Sequence, residues 1–400
     1  MITASSLSVP AGSVAPQTEE RPLNFRRMAL CTLLPIFITA ILFFVPMFIY
    51  DPLMVFHKPW GRPITVYENL REQNLGLIKQ SRFDSVILGN SLTANSSARL
   101  AGLFFGGTFM NLSIDGGSLF EQKVLIDYLM RTREIKTVIC PLSVLLVRDG
   151  YGGYTTDRWA FLYDRNPLND FKVYMNKRFV TCMLRWSDAP ECVGKPVDLD
   201  TPGVWDDDPW HTERFGGVEN WIRHNKHPQL LNIIHKELPE AAALEAPARQ
   251  ESQAGAEQDI KDYLRDFVVS PAKEYPHTRF LFFFSPNPRL FQSVQYTKGA
   301  YSYYTTWVRN AVEMCASLSN VEIFGFDNEP FVDDIAQYKD EGHYNRNVNN
   351  AIMEAMSKGR NKLTPDNVEA YLKEAEYKAA SFDLKGFNQY IQEQITRLPR

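Results

Sequence analysis

The sequence predicts an α/β protein, a three-layer sandwich with a central parallel sheet, preceded by one apolar N-terminal helix and interrupted by a large insertion. Three observations lead there. Five short β-branched or aromatic runs have the continuous apolar character of strands buried on both faces. Stretches of helical periodicity alternate with them, the βα rhythm of parallel sheets. The composition supports a full core, with 44% hydrophobic and 13% aromatic residues in a chain of 400.

Residues 1–25, rich in Ser, Ala and Pro and without apolar periodicity, read as a cytoplasmic tail. Residues 26–50 read as a transmembrane anchor. Met28 to Tyr50 is uncharged and apolar, long enough as a helix to cross a bilayer core of roughly 30 Å. Core helices are usually shorter. A cleaved signal peptide is the stronger rival, but the run continues into bulky Asp51-Pro-Leu-Met-Val-Phe with no small-x-small site nearby. Arg21, Arg26 and Arg27 before the run, against Lys58 and Arg62 after it, put the remainder outside the cytoplasm.

A domain over residues 60–360 follows. Asp84 to Gly89, Phe109 to Ile114, Lys136 to Pro141, Thr278 to Ser285 and Val321 to Phe326 are the expected strands. After the second, Ser118 and Glu121 form a capping box, and Phe120, Val124, Leu125, Tyr128 and Leu129 share one helix face. Tyr304, Trp307, Val308, Ala311, Val312 and Cys315 mark the helix that leads into the last strand. Between the third and fourth strands an insertion, about 150–262, is too long for an ordinary connection. It holds five of the seven tryptophans (Trp159, Trp186, Trp205, Trp210 and Trp221) and ends in an Ala, Glu and Gln-rich stretch, helix or loose linker. Residues 361–400 are a helical extension, with Thr364 as N-cap and Pro365 at the first helical position.

Candidate chemistry sits at the ends of two strands. In Val86-Ile87-Leu88-Gly89-Asn90-Ser91, a serine follows an apolar strand, where its side chain faces the crevice and the next backbone amides are free. Such a turn by itself is also an ordinary N-cap. Asp340-Glu341-Gly342-His343 follows the last strand and supplies what a serine hydroxyl needs: an imidazole to take its proton and a carboxylate to orient that imidazole.

These segments resemble the SGNH (GDSL-like) hydrolase superfamily from residue 84 to 345. Its first block is a Gly-Asp-Ser-like turn and its last an Asp-x-x-His, matched here by Ser91, Asp340 and His343. Asn111-Leu-Ser-Ile-Asp-Gly116 looks like the second block, which implies that the Gly116 amide joins the Ser91 amide in the oxyanion hole. Two positions depart from the pattern: Asn90 stands where the superfamily usually has Asp, and Ser143 stands near the place of the third block's oxyanion Asn. Asn287, in the turn after the fourth strand, is the other candidate for that donor.

The N-terminal anchor, the Asp51-Pro52 segment and the run Asn111 to Ser118 look most like membrane-bound proteins that acylate cell-surface polymers, a group that includes the D-alanyl-lipoteichoic-acid transfer protein. That resemblance implies a single-pass protein of the bacterial inner membrane, its catalytic domain facing the periplasm or exterior. The implied activity is O-acylation of a polysaccharide, the acyl donor reaching it through a multispanning membrane acyltransferase. Two alternatives stay open: a carbohydrate esterase of the same fold, and a non-catalytic glycan-binding or assembly subunit.

Other signals set limits. With 43 basic against 47 acidic residues, nothing in the totals suggests nucleic acid as partner. The insertion's tryptophans either stack on sugar rings or form a satellite core, and Arg158, Arg165, Arg185 and Arg214 could hold acidic groups. His211, His224, His227 and His235 raise the question of zinc, but no Cys or carboxylate set completes a known spacing, so no metal or cofactor is expected. Cys182 and Cys192 either pair or stay free thiols.

Overall fold

The computed structural model describes residues 25–142, 158–250 and 254–397. Ser143, the start of the insertion and all of the expected tail but Phe25 lie outside the described residues. The chain divides between Ile49 and Tyr50 into two units. The first contributes the helix Phe25–Tyr50, whose stretch Met28–Tyr50, of mean hydropathy 2.6, is long and apolar enough to cross a membrane or to serve as a signal sequence. Its two described threonines, Thr32 and Thr39, return their hydroxyl protons to the carbonyls of Met28 and Pro35, so neither leaves a polar group bare on an apolar surface.

The second unit, Tyr50–Arg400, contains a six-stranded sheet. Its strands are β1 (Ser85–Ile87), β2 (Phe109–Asn111), β3 (Thr137–Leu142), β4 (Arg279–Phe284), β5 (Val321–Gly325) and β6 (Lys362–Leu363), in spatial order β2-β1-β3-β4-β5-β6. The first five pair in parallel and overlap the five expected runs, four of them shortened and β3 shifted by one residue toward the C-terminus. Helices cover both faces. Ile87, Ile139, Leu281, Phe283 and Phe324 join one core cluster with Ala101, Ile352, Met356 and residues of the insertion and C-terminal helices. On the other side, Phe284 meets Tyr304 and Trp307 of the helix Tyr301–Cys315 edge to face. Burial on both sides is why these strands read as unbroken apolar runs.

The sheet departs from the all-parallel expectation at one edge, where β6 pairs antiparallel with β5. Asn361, at φ +64°, takes the left-handed turn that Asn tolerates and sends the chain back along β5. The last helices also begin later than expected. Val368–Ser381 starts after Asn367, and Thr364 lies in the preceding turn, its carbonyl accepting from the Asn367 and Val368 amides.

The capping box is present: Ser118 accepts from the Glu121 amide, and Glu121 accepts from the Ser118 amide. Cys182 and Cys192 form a disulfide, which resolves the open pairing. Just beyond the apolar helix, the buried Asp51 carboxylate accepts from the amides of Val55, Phe56 and His57 and from the Tyr174 hydroxyl. That junction is therefore a built element of the second unit rather than a linker.

Candidate active site

Ser91 begins a single turn of helix, Ser91–Ala94, directly after β1. Asn90 caps this turn, its Oδ1 accepting from the Leu92 amide at 3.0 Å. Asp at this position would offer the same acceptor, so the exchange leaves the cap intact. Gly89 is required by both conformation and space. Its φ of +139° disfavours a side chain, and a Cβ would come within 2.2 Å of Thr93 Oγ1 and 2.7 Å of Pro141 Cδ. Gln122 clamps the Gly89 peptide from both sides, donating to its carbonyl and accepting from its amide.

The base arrives on a tight loop. Tyr338 and Tyr344 form an antiparallel bridge, and the Lys339 amide donates to the His343 carbonyl, so residues 339–343 are held as a short return. Asp340, fully buried, accepts from the amides of Gly342 and His343 and from His343 Nδ1 at 2.8 Å. His343 Nε2 lies 2.9 Å from Ser91 Oγ. An ionised Asp340 places the ring proton on Nδ1 and leaves Nε2 free to accept the serine proton. Burial works to raise the Asp340 carboxyl, but His343 and the nearby Lys339 charge outweigh it and hold the group at about 2. Residues 252 positions apart in the chain thus form one relay.

The turn at Gly116 lies near the Ser91 loop. Gly116 sits in a turn at φ +60°, and that turn lies against the nucleophile loop: the Ile114 amide donates to the Gly89 carbonyl, and the Gly117 amide to that of Ile114. Among the described residues, neither the Ser91 nor the Gly116 amide donates to a protein acceptor, which is the state an oxyanion site needs. Asn287 Oδ1 lies against Gly342, the residue before His343, and neither Asn287 nor Gly116 is among the residues that line the cavity holding Ser91.

That cavity, of about 850 Å³, has Ser91 and His343 in its wall. Much of the remaining wall comes from the insertion, and its contribution to the site was not legible from sequence. Trp205 Nε1 donates to the Ser91 carbonyl at 2.7 Å, and its ring meets the His343 ring edge to face at 5.6 Å. Asn95 Oδ1 accepts from the Trp205 and Asp206 amides, and Asp206 pairs with Arg346, which begins the helix after His343. The insertion is stitched to both halves of the relay.

The insertion's tryptophans differ in burial and position. Trp159 and Trp221 are buried, Trp221 donating to the Tyr338 carbonyl behind the His343 loop. Trp205 and Trp210 line the cavity, and Trp186 is exposed against Tyr50. Of the four arginines, Arg214 reaches the cavity, Arg165 lines a smaller one, and Arg158 and Arg185 lie on the surface. His211 and His227 both accept from Arg214. Among the described residues, no group of three His, Cys, Asp or Glu is arranged to hold a metal.

Comparison of the chain with family models, with curated proteins and with solved structures finds no match.

Proposed function

We propose that this chain is a membrane-anchored serine O-acyltransferase of the SGNH type that esterifies hydroxyls of a polysaccharide outside the cytoplasm. The observation that carries the reading is the relay from Ser91 through His343 to a buried Asp340, with links of 2.9 and 2.8 Å, at the wall of a sugar-sized cavity. The order of the blocks along the sheet, with the serine after β1 and Asp-x-x-His beyond β5, supports the same class.

In the first half-reaction, Ser91 Oγ attacks the acyl carbonyl carbon while its proton passes to His343 Nε2. The Ser91 and Gly116 amides bind the resulting oxyanion. Collapse breaks the bond to the donor's leaving group, which takes the proton from His343. In the second half-reaction a sugar hydroxyl gives its proton to Nε2 and attacks the acyl-serine, and collapse returns the proton to Ser91 Oγ. A multispanning membrane acyltransferase supplies the acyl group, and the Phe25–Tyr50 helix keeps the site at the periplasmic face of a bacterial inner membrane.

Both Ser91 and His343 are partly solvent-exposed, so water has a route to the acyl-enzyme, which favours a carbohydrate esterase as the second reading. The test is a fluorophosphonate probe and p-nitrophenyl acetate applied to the full chain in detergent, beside Ser91→Ala and His343→Ala. Labelling of the wild type alone is expected; no labelling of folded protein overturns the serine mechanism. With a polysaccharide acceptor present, acyl groups recovered only as free acid would favour the esterase.

A further inference from the structure

The cavity wall beside the relay carries charge that the acyl-transfer steps do not use. Lys339 and Arg214 are both buried and both line the cavity. The nearest carboxylate to each is Asp340, at 3.9 Å from Lys339 Nζ and 3.9 Å from an Arg214 amino group, and that carboxylate is already engaged by His343. The cations' other partners are neutral. His211 Nδ1 accepts from Lys339 at 2.9 Å and from Arg214 at 3.0 Å, which fixes its proton on Nε2. His227 and Gln229 accept from Arg214, and Lys339 sits 4.1 Å from the Trp205 ring. Two buried cations thus share one committed anion. Asp115, which acts on Lys339 from a distance, is exposed, and the neighbouring Glu341 is held toward its protonated form by burial. Buried charge in excess is costly unless a ligand completes it.

We propose that Lys339 and Arg214, with the neutral His211 between them, form an anion subsite that binds a carboxylate or phosphate on the sugar entering beside Ser91. The Trp205 ring, in contact with both Lys339 and His343, ties this subsite to the reacting centre. The acceptor class is then an acidic glycan, a refinement that rests on the acyltransferase reading. The more exposed residues of the wall carry both signs, Glu68 and Glu191 as well as Arg178 and Lys195, so selectivity belongs to the buried pair.

Calorimetric titration of the full chain in detergent at pH 7 with methyl glucuronoside, glucose 6-phosphate and methyl glucoside tests this. At least one anionic sugar is expected to bind about tenfold or more tighter than the neutral one, and which of them does so identifies carboxylate or phosphate. Lys339→Met should remove that preference while leaving the affinity for methyl glucoside unchanged. Because the wild-type comparison needs no variant, a misfolded Lys339→Met would leave the test intact, with the salt dependence of the anionic affinity as the second measure. Equal affinity for charged and neutral sugars, or a preference indifferent to salt and to a folded Lys339→Met, overturns the proposal. Binding is read without turnover. Anion preference in protein that no fluorophosphonate labels would therefore keep the subsite and discard the acyltransferase.

Discussion

At the scale of single residues, two adjacent carboxyls are driven in opposite directions by their surroundings. Burial opposes ionisation of Asp340, but His343 and Lys339 prevail and hold it at about 2, below the ordinary 3.8. The lowered value means that this pairing stabilises the fold above about pH 3.8 and that its contribution disappears as pH falls toward 2. Asp340→Asn should keep the loop yet favour the wrong imidazole tautomer, lowering kcat by about 10³ to 10⁴-fold on p-nitrophenyl acetate. Glu341 is raised to about 7 by burial first and Asp340 second, and its Oε2 has no hydrogen-bond partner among the described residues. A raised carboxyl costs stability once it must ionise, so this penalty grows between about pH 4.5 and 7. Glu341→Gln should therefore raise the melting temperature at pH 8 but not at pH 4; an unchanged difference between the two would contradict it.

At the scale of elements, the nucleophile turn depends on close approach. A methyl group on Gly89 would strike Thr93 and Pro141, so Gly89→Ala should cost about 1–3 kcal/mol and abolish probe labelling, as read by thermal melting and gel fluorescence. Trp205→Phe keeps an aromatic ring but loses the N–H to the Ser91 carbonyl, and an about fivefold drop in kcat with a loss of about 1 kcal/mol in thermal melting is expected. The Cys182–Cys192 disulfide closes a loop over a separation of 10 residues, which corresponds to about 2–3 kcal/mol of stabilisation, measurable by denaturant unfolding of the double Ser variant. Strand positions were legible because burial on both faces writes an unbroken apolar run. The edge strand β6 was not, since two residues carry no period and its pairing depends on the turn at Asn361.

At the scale of the whole molecule, an uncleaved Phe25–Tyr50 helix should keep the full-length chain with membranes through high-salt and carbonate washes and release it only with detergent. A shortened, soluble product would instead mark the helix as a signal sequence. The sequence by itself determined the α/β class and the apolar helix, because each rests on short-range information, a hydrophobic period or an unbroken apolar run, and it offered Ser91, Asp340 and His343 as candidates through their places at strand ends and the family resemblance they carry. Tertiary structure alone decided that Ser91 and His343 meet across 252 positions and that Trp205 supports the serine. It alone set Lys339 and Arg214 against a single committed carboxylate, and it placed Asn287 against Gly342 of the His343 loop. The physical reason is that a side chain's charge partner, burial and neighbours are set by which elements pack together, and packing between distant segments leaves no periodic trace in the chain.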